Sequence, residues 1–442
     1  MKRNPLPLYL SLLYLILSAA LCFAQNISPM KGFSESDRIL ILAPHPDDEV
    51  MATGGVIQEA LKAKAKVRVL FLTNGDHNEP AFIVYEKRLT VRKGEFIHMG
   101  QVRRKESLEA LKMLGLEEKD CVFLGYPDFG TMEILLKYWG DTRPFRYILT
   151  RISRVPYSNC LSPEAPYVGE SVLNDIENII RDFKPTRIFV SHPVDVNRDH
   201  RSLYLFLRIA LWDLESEMAR PDILPYLVHV KGWPEPRGYH PELELAVPDT
   251  LKSGEISWLS LGLTDAEVKT KHDAMESYKS QNEYNPAYLV TYARKNELTG
   301  DYPDVTLSKK SVWCSAGAIL AYERKDNKLL IKLALKNRLE KDLGISIFLL
   351  GYRKDSEFSE MPKLIINIGL NTLSVKDRRR NVSAEKVQLT YEGNNLILRI
   401  PLSLLKDPAY ILACVKAGSI VMPFEDTAWR AIQIVDKDPV KL

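Results

Sequence analysis

The sequence predicts an α/β protein, in which a parallel sheet carries helices on both faces, followed by a C-terminal antiparallel β-sandwich. Before about Ser311, continuous apolar runs of strand length alternate with segments of helical spacing, which is typical of βαβ units. After Ser311, short and often alternating apolar runs are separated by polar turns, which is typical of antiparallel strands. The chain is therefore expected to contain two domains of different class.

Short apolar runs mark the parallel strands of the first domain. The first run, Arg38–Ala43, is apolar after its arginine, as expected for a strand that is buried on both faces. The other predicted strands are Val67–Thr73, Val122–Gly125, Arg187–Ser191 and Tyr226–Val230. The predicted helices between them are Val50–Lys64, Arg103–Leu114, Val172–Phe183 and His200–Glu217. This alternation predicts a Rossmann-like sheet. The long aromatic segment Pro127–Gly169 is either a functional lid or a packed Ω-loop.

The predicted sandwich occupies residues 305–442 and is a candidate glycan-binding module. Its seven apolar runs are Val312–Tyr322, Leu329–Leu335, Ile345–Tyr352, Leu364–Ile368, Val387–Tyr391, Leu396–Ile400 and Tyr410–Val415. The basic run Lys376–Arg380 is predicted to be a solvated loop. Because the composition changes so sharply, we expect a chain that ends near Asp304 to fold alone.

The N-terminus has the features of an export signal. Lys2 and Arg3 precede an almost wholly apolar stretch, Leu6–Phe23, and Ala24 is a small residue at a suitable cleavage point. Residues 1–24 are therefore predicted to be a signal peptide, which implies a periplasmic or extracellular protein with no stable membrane insertion after cleavage. A retained membrane anchor is the alternative, since about 17 apolar residues just span a bilayer.

The balance of charge argues against a nucleic-acid partner. The 442 residues include 60 Lys and Arg against 57 Asp and Glu, for a formal net charge of +3. Proteins that bind nucleic acid obtain most of their affinity by neutralising phosphates. A near-neutral chain is poorly suited to that role.

Two clusters of metal-ligating residue types each follow a predicted parallel strand. One is His45–Glu49 (His-Pro-Asp-Asp-Glu), after the first strand, and the other is His192–His200, after Arg187–Ser191. Ligand sites in open α/β sheets form at the carboxyl ends of the strands. The two clusters are therefore expected to share one crevice.

These clusters favour a metal-assisted hydrolase. Two histidines and one carboxylate leave the fourth position of a tetrahedral zinc open, which is the arrangement of a catalytic site. A neighbouring carboxylate then accepts a proton from water. The alternative is that the acids and Asn197 or Asp199 only cap helices, but that interpretation gives no use to His45 or His200.

At these residues the chain resembles the LmbE-like (PIG-L type) N-acetylglucosamine deacetylases. The family signature Ala-His-Pro-Asp-Asp-Glu is matched by Pro44–Glu49 with Ala43 one place earlier, and a second signature, ending in Asp-His, is matched within Asp195–Arg201. Further matches are Thr73–Gly75, Arg103 with Glu106, Gly125–Asp128, and Lys271 with Ser280 and Gln281. The resemblance implies that His45, Asp48 and His200 bind Zn²⁺ and that Asp47 is the general base. It covers about Asp37 to Gln281, within a predicted deacetylase domain at residues 25–304.

The chain departs from the family at the group that stabilises the oxyanion. Many members have a second histidine three residues before the metal-binding one, and this chain has Asn197 there. Either Asn197 or His192 is the candidate donor. Arg103 and Arg104 are candidates to hold a polar substrate, or else they form a solvated helix face. The remaining histidines, which have no partner at ligand spacing and are expected to be structural or exposed, are His77, His98, His229, His240 and His272.

The sequence therefore predicts an exported zinc hydrolase that removes an acetyl or other acyl group from an N-acetylated amino sugar or glycoconjugate. The alternative is a glycan-binding protein that keeps the fold without turnover. Asp47 favours the enzyme, because a binding protein has no need of a base.

Overall fold

The computed structural model describes residues 27–77, 83–85, 93–140, 142–252, 255–309, 313–315, 320–335, 343–419 and 423–436. The predicted signal peptide, residues 1–24, lies outside this described part of the chain. Within the described part, no helix combines the length and the apolar character that crossing a membrane requires.

An eight-stranded sheet organises the first domain. Its strands are β1 (Ile27–Pro29), β2 (Arg38–Ala43), β3 (Lys66–Thr73), β4 (Cys121–Tyr126), β5 (Arg187–Ser191), β6 (Asp222–Tyr226), β7 (Trp258–Gly262) and β8 (Asn296–Gly300). Their order across the sheet is β1-β7-β8-β6-β5-β2-β3-β4. Strands β2 to β6 pair in parallel, which confirms the predicted α/β class. Strand β8 runs antiparallel between β6 and β7.

Helices cover this sheet and bury their apolar positions against it. They are α1 (Asp48–Lys62), α2 (Lys93–Met113), α3 (Thr131–Lys137), α4 (Gly169–Phe183), α5 (Arg198–Asp213), α6 (Asp265–Met275) and α7 (Lys279–Asn282). In α4, Val172, Ile176 and Ile180 recur every four residues and are all fully buried, as expected for one apolar face of a helix. The aromatic segment before α4 is largely packed, since Trp139, Tyr147 and Tyr157 are buried.

Strand β6 lies earlier than the predicted strand Tyr226–Val230. The strand ends at Tyr226, and the chain then leaves the sheet although its residues stay apolar. Pro225 lies inside β6, where a missing amide hydrogen would normally disfavour a strand. It is tolerated because β6 pairs with β8 only at Tyr226. The prediction followed the apolar run and missed the proline-containing strand before it.

The second domain is an antiparallel sandwich, as predicted. Its strands are β9 (Val305–Leu307), β10 (Cys314–Ser315), β11 (Leu320–Lys325), β12 (Lys328–Ala334), β13 (Leu343–Tyr352), β14 (Lys363–Gly369), β15 (Thr372–Asp377), β16 (Arg380–Val382), β17 (Gln388–Glu392), β18 (Asn395–Pro401), β19 (Tyr410–Ser419), β20 (Pro423–Asp426) and β21 (Arg430–Ile434). One sheet has the order β10-β11-β12-β18-β17, and the other β16-β15-β14-β13-β19-β21-β9 with β20 beside β19. Buried Ile331 and Leu398 of one sheet belong to the same core as Ile347 and Ile366 of the other.

The basic run Lys376–Arg380 is a hairpin rather than a loop. Lys376 lies in β15, Arg380 begins β16, and the two strands pair directly. The turn between them places Arg378 at a φ of 54°. Val375 is buried while Lys376 is exposed, so the alternation of a strand continues into the charged residues.

The two domains share a buried apolar interface. Trp212 of α5 stacks on Tyr410 with ring centroids 4.5 Å apart, and Trp139 meets Phe358 edge-on at 5.0 Å. Core residues of both domains form one continuous cluster. A chain that ends near Asp304 would expose this surface, which argues against the expected independent folding of the first domain.

Candidate metal centre

The candidate site lies at the carboxyl ends of four parallel strands, β2, β4, β5 and β6. His45 follows β2, and Asp128 follows β4. Asp195 and His200 follow β5, where helix α5 begins, and His229 follows β6. These strand ends meet at one edge of the sheet, as the sequence predicted for the first and third of them.

The three predicted metal ligands converge. The Nε2 atom of His200 lies 3.0 Å from Oδ2 of Asp48, and Nδ1 of His45 lies 3.2 Å from the same oxygen. Ligand-type atoms of His45, Asp48 and His200 all lie within 4.8 Å of one another, and all three residues are buried. This donor set is suited to a divalent transition metal, and zinc is well matched to it.

The hydrogen bonding of this cluster fits a bound cation. The Oδ1 atom of Asp48 is buried without a hydrogen-bond partner, whereas buried polar atoms are normally bonded. Burial acts to lower the pKa of His200, but the carboxylates of Asp195 and Asp48 outweigh it and raise that pKa to about 9. The carboxylates thus favour positive charge at this position, which a metal ion would supply.

Asp195 orients the imidazole of His200. Its Oδ2 atom lies 3.1 Å from Nδ1 of His200 and accepts a hydrogen bond of 2.9 Å from the backbone N–H of His229. Burial opposes ionisation of Asp195, but His200 and His229 outweigh it and hold the pKa of Asp195 below its usual value. A carboxylate that fixes the second nitrogen of a ligating histidine is a common support of metal sites.

A second group of carboxylates adjoins His45. Its Nε2 atom lies 3.1 Å from Oδ1 of Asp128 and 3.4 Å from Oδ2 of Asp199. His45, Asp128 and Asp199 also satisfy the spacing of a metal-binding group. The backbone N–H of Thr131 donates to Oδ1 of Asp199 at 3.2 Å. The sequence placed Asp199 in the second cluster only as a possible helix cap and predicted no role in the site for Asp128, although the position of Asp128 after a parallel strand was a usable signal.

Asp47 does not cap helix α1. Its φ of 107° is rare for a residue with a side chain, and its Oδ2 atom accepts a hydrogen bond of 2.9 Å from Arg103. Burial raises the pKa of Asp47 to about 7, against the opposing charge of Arg103. A carboxyl group that titrates near neutrality is suited to general-base chemistry.

Arg103 is buried and positions this part of the site. In addition to Asp47, it donates to the backbone carbonyls of Pro46 and Gly75, at 2.5 and 2.9 Å. It is therefore not part of a solvated helix face. Arg104 points elsewhere and pairs with Glu118 at 2.8 Å.

Of the two candidate oxyanion donors, the structure brings Asn197 to the site and not His192. Asn197 lines the pocket and also caps α5, since its Oδ1 atom accepts from the N–H of Asp199 at 2.8 Å. The ring of His192 stacks on Trp258, 6.0 Å between centroids, and meets Tyr302 edge-on. Burial lowers the pKa of His192 to about 3. The ring of His192 lies outside the site pocket because it packs between Trp258 and Tyr302.

A pocket of about 440 Å³ opens onto the cluster. Its lining residues are His45, Asp47, His77, Arg103, Asp128, Phe129, Asn197, His229, Gln281, Tyr284, Asn285, Tyr288 and Leu289. His77 and His229, which were expected to be structural or exposed, both belong to it. The ring of His229 lies 4.7 Å from that of His200, and its Nδ1 atom bonds the hydroxyl of Tyr288 at 2.7 Å. We refer to this cavity as the site pocket.

Solved structures similar to this chain include two deacetylases and a hydratase. The A40926 pseudoaglycone deacetylase Dbv21 is 16% identical with a TM-score of 0.38, over 60% of this chain and 96% of that one. The N,N'-diacetylchitobiose deacetylase from Pyrococcus horikoshii is 18% identical with a TM-score of 0.33, over 55% and 70%. The 4-carboxy-2-hydroxymuconate hydratase GalB from Pseudomonas putida is 17% identical with a TM-score of 0.37, over 62% and 98%.

A curated relative is similar in sequence over a short region. The 1D-myo-inositol 2-acetamido-2-deoxy-alpha-D-glucopyranoside deacetylase of Mycolicibacterium smegmatis is 34% identical over 82 residues, which is 19% of this chain. The chain covers 27% of the length of that relative. Residues 40–211 match the model of the PIG-L family, described as GlcNAc-PI de-N-acetylase. This segment of the chain is thus a PIG-L (LmbE-like) domain, and the family resemblance of its motifs is confirmed.

Proposed function

We propose that this protein is an exported, zinc-dependent hydrolase that removes an acetyl or other acyl group from the nitrogen of an amino sugar or glycoconjugate. The convergence of His45, Asp48 and His200 beside Asp47 carries the proposal. The match of residues 40–211 to a de-N-acetylase family supports it. The sugar-deacetylase name of the short-range relative supports it as well.

His45, Asp48 and His200 would hold the zinc ion, with Asp195 fixing the ring of His200. When bound, zinc supplies Lewis acidity, which polarises an amide carbonyl and makes water more acidic. The open side of the cluster is the site pocket, and its volume of about 440 Å³ is enough for a sugar ring with its acyl group.

Asp47 supplies proton transfer in the proposed reaction. It accepts a proton as water adds to the carbonyl carbon, and the proton then passes to the sugar nitrogen as the C–N bond breaks. Acetate and a free amine are the products. Arg103, 2.9 Å from the carboxylate, fixes its orientation. A pKa of about 7 lets Asp47 act in both directions near neutral pH.

Asn197 is the proposed donor to the oxygen on which negative charge grows. Its side-chain oxygen is occupied as the cap of α5, so its amide nitrogen is the group available for donation. Donors placed for the transition state are worth about 10² to 10³ in rate. His229 lies in the same pocket and is the nearest replacement for the histidine that the family has and this chain lacks.

The alternative, a glycan-binding protein without turnover, is disfavoured by Asp47. Its backbone is held at a φ of 107°, and its side chain is buried against Arg103. Burying a carboxylate in a strained position is costly. Such an arrangement has a use in proton transfer.

The proposal is tested by metal analysis and by acetate release from a panel of N-acetylated saccharides. We expect the wild-type protein to bind about one zinc ion per chain and to release acetate. Asp48→Ala should lose both, whereas the control Asp182→Ala, at a carboxylate that is 70% exposed, should lose neither. Full metal occupancy in Asp48→Ala would mean that the ligands are misassigned. Export is tested separately, by fractionating cells that express the chain with and without residues 1–24.

A further inference from the structure

A second cavity, of about 550 Å³, lies where the two domains meet. Helices α3 and α5 line it on one side, and strands β13, β14, β15 and β19 line it on the other, together with the hairpin turn after β15. It requires both domains, so the family-matched segment at residues 40–211 cannot form it alone. We refer to it as the interdomain cleft.

Positive charge dominates the interdomain cleft. Seven of its lining residues are cations: Lys137, Arg198, Arg201, Lys376, Arg378, Arg379 and Lys416. Among the described residues that line it, Glu133 is the single carboxylate. The whole chain has a net charge of only +3, so this concentration of cations is local. Clefts lined by one sign of charge attract ligands of the opposite sign.

Two of these cations are oriented by contacts with uncharged groups. Arg378 donates to the backbone carbonyls of Ser359 and Met361, and its Nε atom also lies 3.8 Å from Oδ1 of Asp377. The guanidinium of Arg379 lies over the ring of Tyr138, 5.4 Å from its centroid. A cation that is already oriented loses less conformational entropy when it binds an anion.

On the opposite wall of the cleft, which α3 and α5 form, Glu133 contacts two of the cations. Its two carboxylate oxygens contact Lys137 at 2.7 Å and Arg198 at 3.1 Å. Because one carboxylate pairs with two cations, this group of three side chains keeps a net positive charge. The side chain of Arg198 is 45% exposed, so it is accessible to a ligand.

The remaining lining is partly apolar. Phe348 and Trp429 lie 6.0 Å apart between ring centroids, and Leu136 and Met132 face them across the cleft. An apolar floor between charged walls suits a chain of sugars, whose rings have apolar faces and whose substituents carry charge.

The interdomain cleft adjoins the site pocket. Phe129 and Asn197 line the pocket, whereas Glu133 and Arg198 line the cleft. These residues follow one another closely at the starts of α3 and α5, so the first turns of the two helices form a shared wall. A ligand would enter both cavities only by extending past these two helix starts, at Asn197 and the exposed Arg198.

We propose that the interdomain cleft binds an anionic glycan, through sulfate, phosphate or carboxylate groups on the sugars next to the N-acetylated unit. This inference rests on the proposed function, because it names the class of that substrate. Uncharged oligosaccharides would use the site pocket alone.

The test measures binding by calorimetry, independently of turnover. The probes are an oligosaccharide of chondroitin sulfate, one of hyaluronan and one of chitin, which carry sulfate and carboxylate, carboxylate only, and no charge. The variant is Lys376→Gln with Arg379→Gln, both exposed and both in the sandwich domain. The control is Lys105→Gln with Lys269→Gln, which removes the same charge from exposed helix positions.

We expect the cleft variant to raise Kd about tenfold for the anionic probes, and the control variant to leave it unchanged. Raising NaCl from about 50 to about 500 mM should weaken the same interactions, since salt screens exposed charges. The relative affinity for the two anionic probes identifies whether sulfate or carboxylate is preferred. The chitin oligosaccharide should respond to neither change.

Three results would overturn the inference. One is equal affinity for charged and uncharged probes, another is an equal effect of both double variants, and the third is equally tight binding of single-stranded DNA that is lost with the cleft variant. Charge-dependent binding without acetate release from any probe would instead refute the proposed hydrolysis, while the anionic-glycan site would stand.

Discussion

The site pocket and the interdomain cleft lie on two sides of the first turns of α3 and α5, and their charged residues are arranged in opposite ways. In the pocket, buried histidines and carboxylates alternate at 3.0 to 3.4 Å, as between His200 and Asp48. In the cleft, exposed cations such as Arg198 and Lys376 face solvent, and Glu133 is the one carboxylate among the lining residues that the structure describes. Close, buried pairs are little affected by salt, whereas exposed charges are screened by it. The charges of the pocket are thus suited to catalysis, whereas those of the cleft are suited to attracting an anionic ligand.

The largest effect is expected from ending the chain at Asp304, which removes the sandwich side of the cleft. All residues of the site pocket precede Asp304, so a chain ending there keeps the pocket and loses the cleft. We expect this chain to aggregate, because Trp212 and Trp139 lose their partners Tyr410 and Phe358. Solubility and circular dichroism are the measurements. A soluble, folded fragment with full activity on small substrates would show that the pocket is independent of the sandwich.

The next largest effect is expected from a substitution at Asp47, which changes the site pocket and leaves the cleft as it is. Asp47→Asn keeps the shape of the side chain and removes the base, so kcat should fall by about 10² to 10⁴. Zinc content and affinity for anionic glycans should not change. Steady-state kinetics with metal analysis test this, and Asp182→Asn is the exposed control. Wild-type turnover in Asp47→Asn would exclude Asp47 as the base.

Asn197 lies on the wall that separates the two cavities, and its two roles can be separated. Asn197→Ala removes both the helix cap and the proposed donor, so it should lower kcat by about 10² to 10³ and the free energy of unfolding by about 1 kcal/mol. Asn197→Ser keeps a capping oxygen and should restore stability but not rate. Denaturant titration and kinetics distinguish the two. His192→Ala should retain turnover, because His192 does not line the pocket; an inactive His192→Ala that keeps its fold and zinc would reverse the assignment.

The smallest expected effect concerns the dependence of the free energy of unfolding on pH. At the domain interface, burial and the neighbouring Asp213 raise the pKa of Glu177 to about 8. The folded state therefore binds this proton more tightly than the unfolded state. The resulting stabilisation is fully present below the ordinary glutamate pKa of 4.5 and is lost progressively as pH rises from there to about 8.

Glu177→Gln cannot ionise and should remove this dependence. We expect the Tm of the variant, relative to wild type, to be higher at pH 9 than at pH 6. Thermal unfolding at both values is the measurement, with the exposed Glu283→Gln as control. An identical difference at the two values would show that Glu177 titrates normally.

The parts of the site that the sequence predicted are those fixed by local structure. His45 and Asp48 are three positions apart between the end of β2 and the start of α1, so their spacing in sequence determines their spacing in space. His192 and His229 show where this reasoning ends. Each follows a parallel strand by one to three residues, yet one ring packs on Trp258 and the other lines the pocket. Side-chain direction after a strand depends on tertiary packing, which sequence alone does not show.

The interdomain cleft could not be predicted for a related reason. Its cations come from positions as distant in the chain as Lys137 and Lys416, and Lys376–Arg380 alone resembles a solvated turn. A near-neutral total charge concealed the local excess. The sandwich itself was predicted because alternation is a local property. The second sheet also packs against α5 through apolar residues of its strands. The sequence pattern does not distinguish these residues from the apolar residues of the sandwich core.

The final described strand has a consequence for biosynthesis. Strand β21 pairs in parallel with β9, which directly follows the first domain, and Arg430 donates to the carbonyl of Pro303 at 3.0 Å. The sandwich is therefore closed by residues that are synthesised after every residue of the site pocket. A nascent chain that stops short of β21 would contain the site pocket and the cations of the cleft, but its sandwich would lack the strand that pairs with β9. Synthesis through β21 thus becomes a condition for completing the proposed recognition surface.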